Sequence, residues 1–509
     1  MLFVICQKFP TLTSCFTITY FSMKNLLFLL SILTFFSLSC NQQPGSAFEE
    51  YFTDGTMRID YFHAGDAQSE IVEIDQVYQY DGWSGSKVNL LDSLDYGAYC
   101  YKIYDPVSKE LIYSKGFDSY FKEYQLTTPA INGEIKQYHE SANIPYPQRT
   151  VIFSLEKRDK TGKLSEVYRT EIDPESAIPA PIDPEIKTYI GLDSGDPNTK
   201  ADVVIVGEGY TEEEDQKFQD DLKRFTEIFF RAEPCKSYKE SFNIRGVLKY
   251  SHDSGVDEPR AGIDKNTAVN ASFNALGSAR YLLTEDNKSL RDIAGHVPYD
   301  AIYIMVNHSR YGGGGIYNFY CVYTSDNISS DYLMVHEFGH SFFGLADEYY
   351  SSSTAYTDFY SAEYEPNEPN ITALKDPDNL KWKHLVSEGI EIPTPWGKSS
   401  YDSAEVAWAE ERYNLNFKVS FLKKNGAPEE EIKAAISRLN ERSSQRDAEV
   451  HAFLEENELS GKVGAFEGAG YMYEGLYRPS LNCIMFSHAD YFCPVCQDAM
   501  VRVIELYTE

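Results

Sequence analysis

The sequence predicts an α+β chain in several folded parts: an N-terminal β-sandwich, then a larger α/β domain that carries a helical insertion. Three observations predict it. From Phe48 to about Ile172, short runs rich in tyrosine, valine and isoleucine are broken by turn residues. Pro174, Pro179, Pro181 and Pro184 then cluster, marking a stiff segment unsuited to a sheet or helix interior. Beyond them, apolar strand runs are joined by amphipathic helical patterns, the order that builds a sheet covered by helices.

Residues 1–40 read as a targeting segment and take no part in the fold. Met23-Lys24-Asn25, the apolar run Leu26 to Phe36 and the small residues before Cys40 have the form of a bacterial lipoprotein signal, with translation starting at Met23. The apolar run is shorter than the roughly 20 residues a membrane span needs. Cys40 would then carry the lipid, and the expected location is the cell envelope, with the membrane touched only through that anchor.

Residues 41–175 form the expected sandwich. Met57 to Tyr61 alternates apolar and polar, Thr150 to Leu155 does so more loosely, and the tyrosine-rich run Tyr96 to Tyr104 closes at Asp105-Pro106. Lys160-Thr161-Gly162 separates two runs as a hairpin loop. Tyrosines at strand spacing read as half-buried packing in preference to a sugar or protein surface. Residues 176–186 are the linker.

Residues 187–509 open with the buried strand Val203 to Val206, the turn Gly207-Glu208-Gly209 and a helix. Thr211 with Glu214 makes a capping box, and Phe218, Leu222, Phe225 and Phe229 form the helix's apolar stripe. A dinucleotide site is excluded here, since Glu212 stands where a third glycine would be needed and its charge would repel a pyrophosphate. Phe242 to Tyr250 and Asp300 to Asn307 read as further strands. A glycine-rich turn at Tyr311 to Gly315 leads into an aromatic strand ending at Tyr323. After Tyr350 the chain reads as insertion: Ser351 to Pro369 is polar, and Asp402 to Leu459 is charged and helical with a break at Gly426-Ala427-Pro428.

The net charge of −32 argues against nucleic acid as a partner and against electrostatic attraction to anionic membranes. With 42% hydrophobic and 14% aromatic residues, the chain can bury substantial cores.

Chemistry concentrates in His336-Glu337-Phe338-Gly339-His340. Histidines four apart share one face of a helix, so both imidazoles reach a single zinc ion, and Glu337 is placed to take a proton from water activated by the metal. Chance would produce this pattern in on the order of one or two such chains per hundred. The flanking Leu333, Met334, Phe338, Phe342 and Phe343 are too apolar for an exposed helix. Gly344 can end the helix in a left-handed turn that swings the chain back under the metal. In the metzincin pattern the last ligand follows such a glycine by three residues, which selects Asp347 here. Glu348 competes with it by one step of register. A second metzincin mark is a methionine on a tight turn, and Met485, after Pro479 and Asn482, is the candidate.

The run HEFGHSFFGLADEY, the segment from Glu467-Gly468-Ala469-Gly470-Tyr471 to Asn482-Cys483-Ile484-Met485, and the closing Phe492-Cys493-Pro494-Val495-Cys496 together resemble the M64 family of peptidases, named for an immunoglobulin A endopeptidase. The resemblance covers residues 187 to 509 and implies a metzincin-like zinc endopeptidase with one catalytic zinc, acting on proteins or peptides. It also implies that Gly315, Ile316, Tyr317, Asn318 and Phe319 line the substrate cleft on an edge strand. Cys483, Cys493 and Cys496 resemble part of a structural zinc site of related metzincins, though a fourth cysteine is absent. A disulfide is the first expectation for them and a second metal the alternative. Tyr471, Tyr473, Tyr477 and His488 are the candidates to stabilise an oxyanion. The rival functions are an inactive envelope lipoprotein that binds protein or glycan, and a zinc hydrolase of non-peptide substrates.

Overall fold

The computed structural model describes residues 47–279, 281–350 and 359–508. The expected lipoprotein signal, with Cys40, lies outside them. Residues 48–509 make one compact unit.

At its front are two four-stranded sheets. One runs β5-β1-β2-β8, from β1 (Phe52–Gly65), β2 (Glu70–Asp81), β5 (Lys136–Pro147) and β8 (Ile178–Pro179). The other runs β4-β3-β6-β7, from β3 (Tyr99–Tyr104), β4 (Leu111–Phe117), β6 (Val151–Arg158) and β7 (Leu164–Ile172). Met57, Ile59 and Tyr61 of β1 meet Tyr101, Ile103 and Phe153 of the other sheet in one core, so the tyrosines are packing residues. The proline segment contributes β8, a two-residue strand on the edge of β2, the place where proline's missing N–H does least harm.

The polar positions of β1 are also buried. Arg58 and Asp60 are fully enclosed, because Arg58 reaches Asp60 (3.0 Å) and Asp292 (2.7 Å), on α3 (Asn287–Ala294) in the second half of the chain. The polar side of this alternation is an internal interface. Further hydrogen bonds cross the same seam, from Asp118 N–H to Tyr317 O (2.9 Å) and from Asn318 Nδ2 to Gly116 O (2.7 Å).

The second half is built on a six-stranded sheet of order β15-β16-β14-β10-β11-β9. These are β9 (Lys187–Leu192), β10 (Ala201–Glu208), β11 (Phe242–Leu248), β14 (Ala301–Val306), β15 (Gly313–Ile316) and β16 (Tyr320–Thr324), with the short ladder of β12 (Ser272–Phe273) and β13 (Leu282–Leu283) alongside. The four inner strands are parallel and the two edges antiparallel. Burial on both faces explains the unbroken apolar run of β10. Val203 and Ile205 face Phe218 and Phe225 of α2 (Asp215–Phe229) and Leu333 of α4 (Ser330–Ser341). Val204 and Val206 face Leu290 of α3 and Tyr124 of α1 (Tyr120–Gln125). Glu214 accepts the Thr211 N–H at 3.0 Å, so the capping box forms.

The insertion is an antiparallel hairpin of α5 (Lys398–Lys424) and α6 (Glu429–Glu455). It is tied to the body by Lys423 to Glu258 (2.6 Å) and Asn482 to Glu455 (2.7 Å). The chain closes with β17 (Phe466–Ala469), β18 (Met472–Arg478) and α7 (Pro494–Thr508). Among the described residues no helix is long and apolar enough to cross a membrane.

Candidate metal centre

The helix α4 packs against β15, β16 and α2 by burying Leu333, Met334, Phe338 and Phe342, the last of which also stacks on Tyr507 of α7. This leaves His336, Glu337 and His340 along the wall of a cleft. Gly344, at φ +64°, ends the helix, its N–H donating to His340 O at 3.1 Å while Leu345 N–H reaches Gly339 O at 3.0 Å. The left-handed step turns the chain back under the helix. Asn370 then holds the returning segment with two bonds to Ala346, at 2.8 and 2.9 Å.

Three ligand atoms converge. His336 Nε2 and His340 Nε2 are 3.2 Å apart, and Asp347 Oδ1 lies 3.1 Å from the first and 3.2 Å from the second. Ligands about 2.0–2.1 Å from a tetrahedral zinc ion stand roughly 3.3 Å from each other, so the triangle has the size such an ion demands. Glu348 does not join it and points into a separate cluster with Cys483, Cys493 and Cys496.

The surroundings fix the ligand atoms. His336 Nδ1–H donates to Ile484 O (2.9 Å) and His340 Nδ1–H to Leu345 O (2.6 Å), which leaves both Nε2 lone pairs facing the same point. Tyr471 O–H donates to Asp347 Oδ2, and Asp347 Oδ1 is buried with no hydrogen-bond donor. An orphaned carboxylate oxygen beside two aligned imidazole lone pairs fits a bound cation. Without a cation, burial works against a charged His340, but Asp347 outweighs it and lifts the imidazole to about 9, so a proton on Nε2 then takes the direction in which a metal would be bound. Burial likewise opposes ionised Asp347, and the histidines hold its carboxyl well below the usual range. The carboxylate thus gathers positive charge at this point.

Met485 is fully buried under α4 against Gly339. Phe486 N–H donates to Cys483 O (2.9 Å), which makes the tight turn that carries it. Glu348 N–H donates to Met485 O at 2.8 Å, tying that turn to the ligand-bearing segment.

The cleft wall opposite the histidines is β15. Gly315, Ile316 and Tyr317 line it together with Gly313 and Gly314. Asn318 and Phe319 do not: Asn318 turns to Gly116, and Phe319 is buried with its carbonyl accepting from Arg291. Tyr311, Tyr332, Tyr349 and Tyr471 complete the polar rim with Tyr281. Of the other oxyanion candidates, Tyr473 packs on Tyr350, the Tyr477 backbone pairs with Thr372, and His488 bonds Asp447 at 2.8 Å.

The expected disulfide is absent: Cys483, Cys493 and Cys496 are separate thiols, with 3.8 Å between the Cys483 and Cys496 sulfurs. The Tyr471, Asn370 and Ile484 contacts were not visible in the sequence as partners of the ligands, since each joins segments remote in the chain.

Among curated proteins none matches the chain. A family model described as Peptidase M64 N-terminus matches residues 47–169, and one described as IgA Peptidase M64 matches residues 190–504.

Proposed function

Since the chain belongs to the IgA peptidase M64 family and is therefore a peptidase, we propose that it is a zinc-dependent endopeptidase of metzincin-like design. The observation that carries this reading is the convergence of His336, His340 and Asp347 beside Glu337 in an open cleft.

A zinc ion bound by these three residues supplies a Lewis acid for water and for the scissile carbonyl. Glu337 is the base: its carboxylate takes a proton from the attacking water as the C–O bond forms, and gives it to the amine nitrogen as the C–N bond breaks. The Nδ1–H bonds to Ile484 and Leu345 keep the rings from rotating, and Tyr471 keeps Asp347 aimed. An extended peptide would add to the outer edge of β15 beyond Gly313, which Tyr281 already bridges; there the pairing needs no particular side chain.

Substrates are exported or host proteins, with immunoglobulin A among those to be tried. We place the enzyme in the cell envelope through a lipid on Cys40, on the strength of the segment from Met23 to Cys40. The test is incubation of the zinc-loaded chain with a protein panel, with and without chelator, and cut-site mapping by mass spectrometry. Internal cuts that vanish with chelator are expected. No cleavage of any protein, or cleavage indifferent to chelator, would overturn the proposal.

A further inference from the structure

We infer that the chain holds a second metal ion, structural in role, bound by Glu348, Cys483, Cys493 and Cys496. The four ligand atoms all lie within 4.8 Å of one another, and all four residues are buried. The Cys483 and Cys496 sulfurs are 3.8 Å apart. Sulfurs about 2.3 Å from a tetrahedral zinc ion stand about 3.8 Å apart, whereas a disulfide would bring them to about 2.05 Å. Glu348 Oε1 is 3.1 Å from the Cys496 sulfur and 4.0 Å from that of Cys493. These values bracket the roughly 3.5 Å expected of a sulfur and an oxygen on one such ion.

The surroundings are those of a built site. Glu348 is wholly enclosed, and its Oε2 has no hydrogen-bond partner among the described residues. Asn370 Nδ2 donates to Oε1 at 3.1 Å and fixes the carboxylate. The Cys493 N–H points at the Cys483 sulfur (3.3 Å) and the Cys496 N–H at the Cys493 sulfur (3.4 Å). Such N–H groups stabilise negative sulfur, and soft thiolates with one carboxylate select zinc. A buried carboxylate left without a cation would be costly, and the cluster closes on that cost if an ion sits at its centre.

The position explains a structural role. Glu348 follows Asp347, Cys483 opens the turn of Met485, Cys493 directly precedes α7 and Cys496 lies in its first turn. One ion would clamp the ligand-bearing segment, the methionine turn and the last helix together. It shares no ligand with the imidazole site.

The test loads the purified full chain with cobalt(II) in place of zinc. The imidazole site has no sulfur, so a thiolate-to-cobalt charge-transfer band in the near ultraviolet arises only from this cluster. We expect that band in the wild-type chain, with about two zinc equivalents before exchange. His336→Ala should keep the band and about one equivalent, and Cys493→Ser should lose the band. If Cys493→Ser fails to fold, the wild-type spectrum decides alone. No thiolate band in folded wild-type protein, or a disulfide among these cysteines in peptides mapped without reductant, would overturn the inference. Wild-type protein that shows the band and cleaves nothing would instead count against the catalytic assignment, while His336→Ala should keep the band and lose cleavage.

Discussion

Gly315 of the edge strand and Glu337 of the metal helix meet backbone to backbone: a Cβ on Gly315 would stand 2.5 Å from the Glu337 carbonyl oxygen. A main-chain oxygen inside a helix cannot move aside as a side chain can. Gly315→Ala should therefore push strand and helix apart, at about 1–3 kcal/mol, seen as a lowered thermal midpoint together with weaker metal binding. An unchanged midpoint would show that the approach is looser than described.

Glu337→Gln keeps shape and polarity but removes the base. Peptide hydrolysis should fall by about 10²- to 10⁴-fold while metal content stays at the wild-type level. If metal is lost as well, Glu337 is a ligand and its assigned role is wrong.

Asp347→Ala removes one of three ligands and should strip the imidazole site. Tyr471→Phe removes only the bond to Asp347 Oδ2 and should weaken metal affinity by about 10- to 100-fold, the usual effect of losing a ligand's own partner. Competition with a metal-binding dye measures both. Equal, full loss in the two variants would mean that Tyr471 does more than orient the carboxylate.

Acid should unfold the front sheets through Glu70. Burial raises its pKa, but the bonds from His63, Lys157 and Tyr99 prevail and hold it at about 2, against 4.5 when unfolded. A depressed carboxyl contributes stability above its unfolded value and loses it as pH falls toward the folded one, so the loss runs from about pH 4.5 to 2. His63 has the opposite sign: burial lowers it, Glu140 and Glu70 outweigh that, and its contribution fades as pH rises through its raised value. Urea midpoints against pH should show an acid limb that Glu70→Gln flattens.

Cys40→Ala should move the protein from the membrane fraction to the soluble one in fractionated cells. Retention in the membrane would end the lipid-anchor proposal.

What the sequence reveals of the site is what local geometry dictates. A helix brings His336 and His340 together wherever it lies, and Gly344 returns the chain at a distance that reaches Asp347. The strands of the central sheet are legible for the same reason, since β10 needs apolar residues on both sides. Glu348 reads only as a shifted copy of Asp347, because the cysteines it meets are more than a hundred residues away. The surroundings of Arg58 and Asp60 are not legible, since polar alternation is the same whether the polar side meets water or Asp292. Asn318 and Phe319 continue the edge strand in sequence, yet the chain turns at Asn318, φ +51°, and carries both out of the cleft.

Tyr96, Gly97 and Asp118, in loops next to β3 and β4 of the front sheets, and Glu123 of α1 line the cleft that holds His336 and Glu337. The cleft wall is thus shared between the stretch that carries His336 and Glu337 and the front stretch. Exchange of the front stretch between relatives should redirect which peptides are cut and leave the rate on the smallest substrates nearly constant, so selectivity can drift while the bond-breaking apparatus stays as it is.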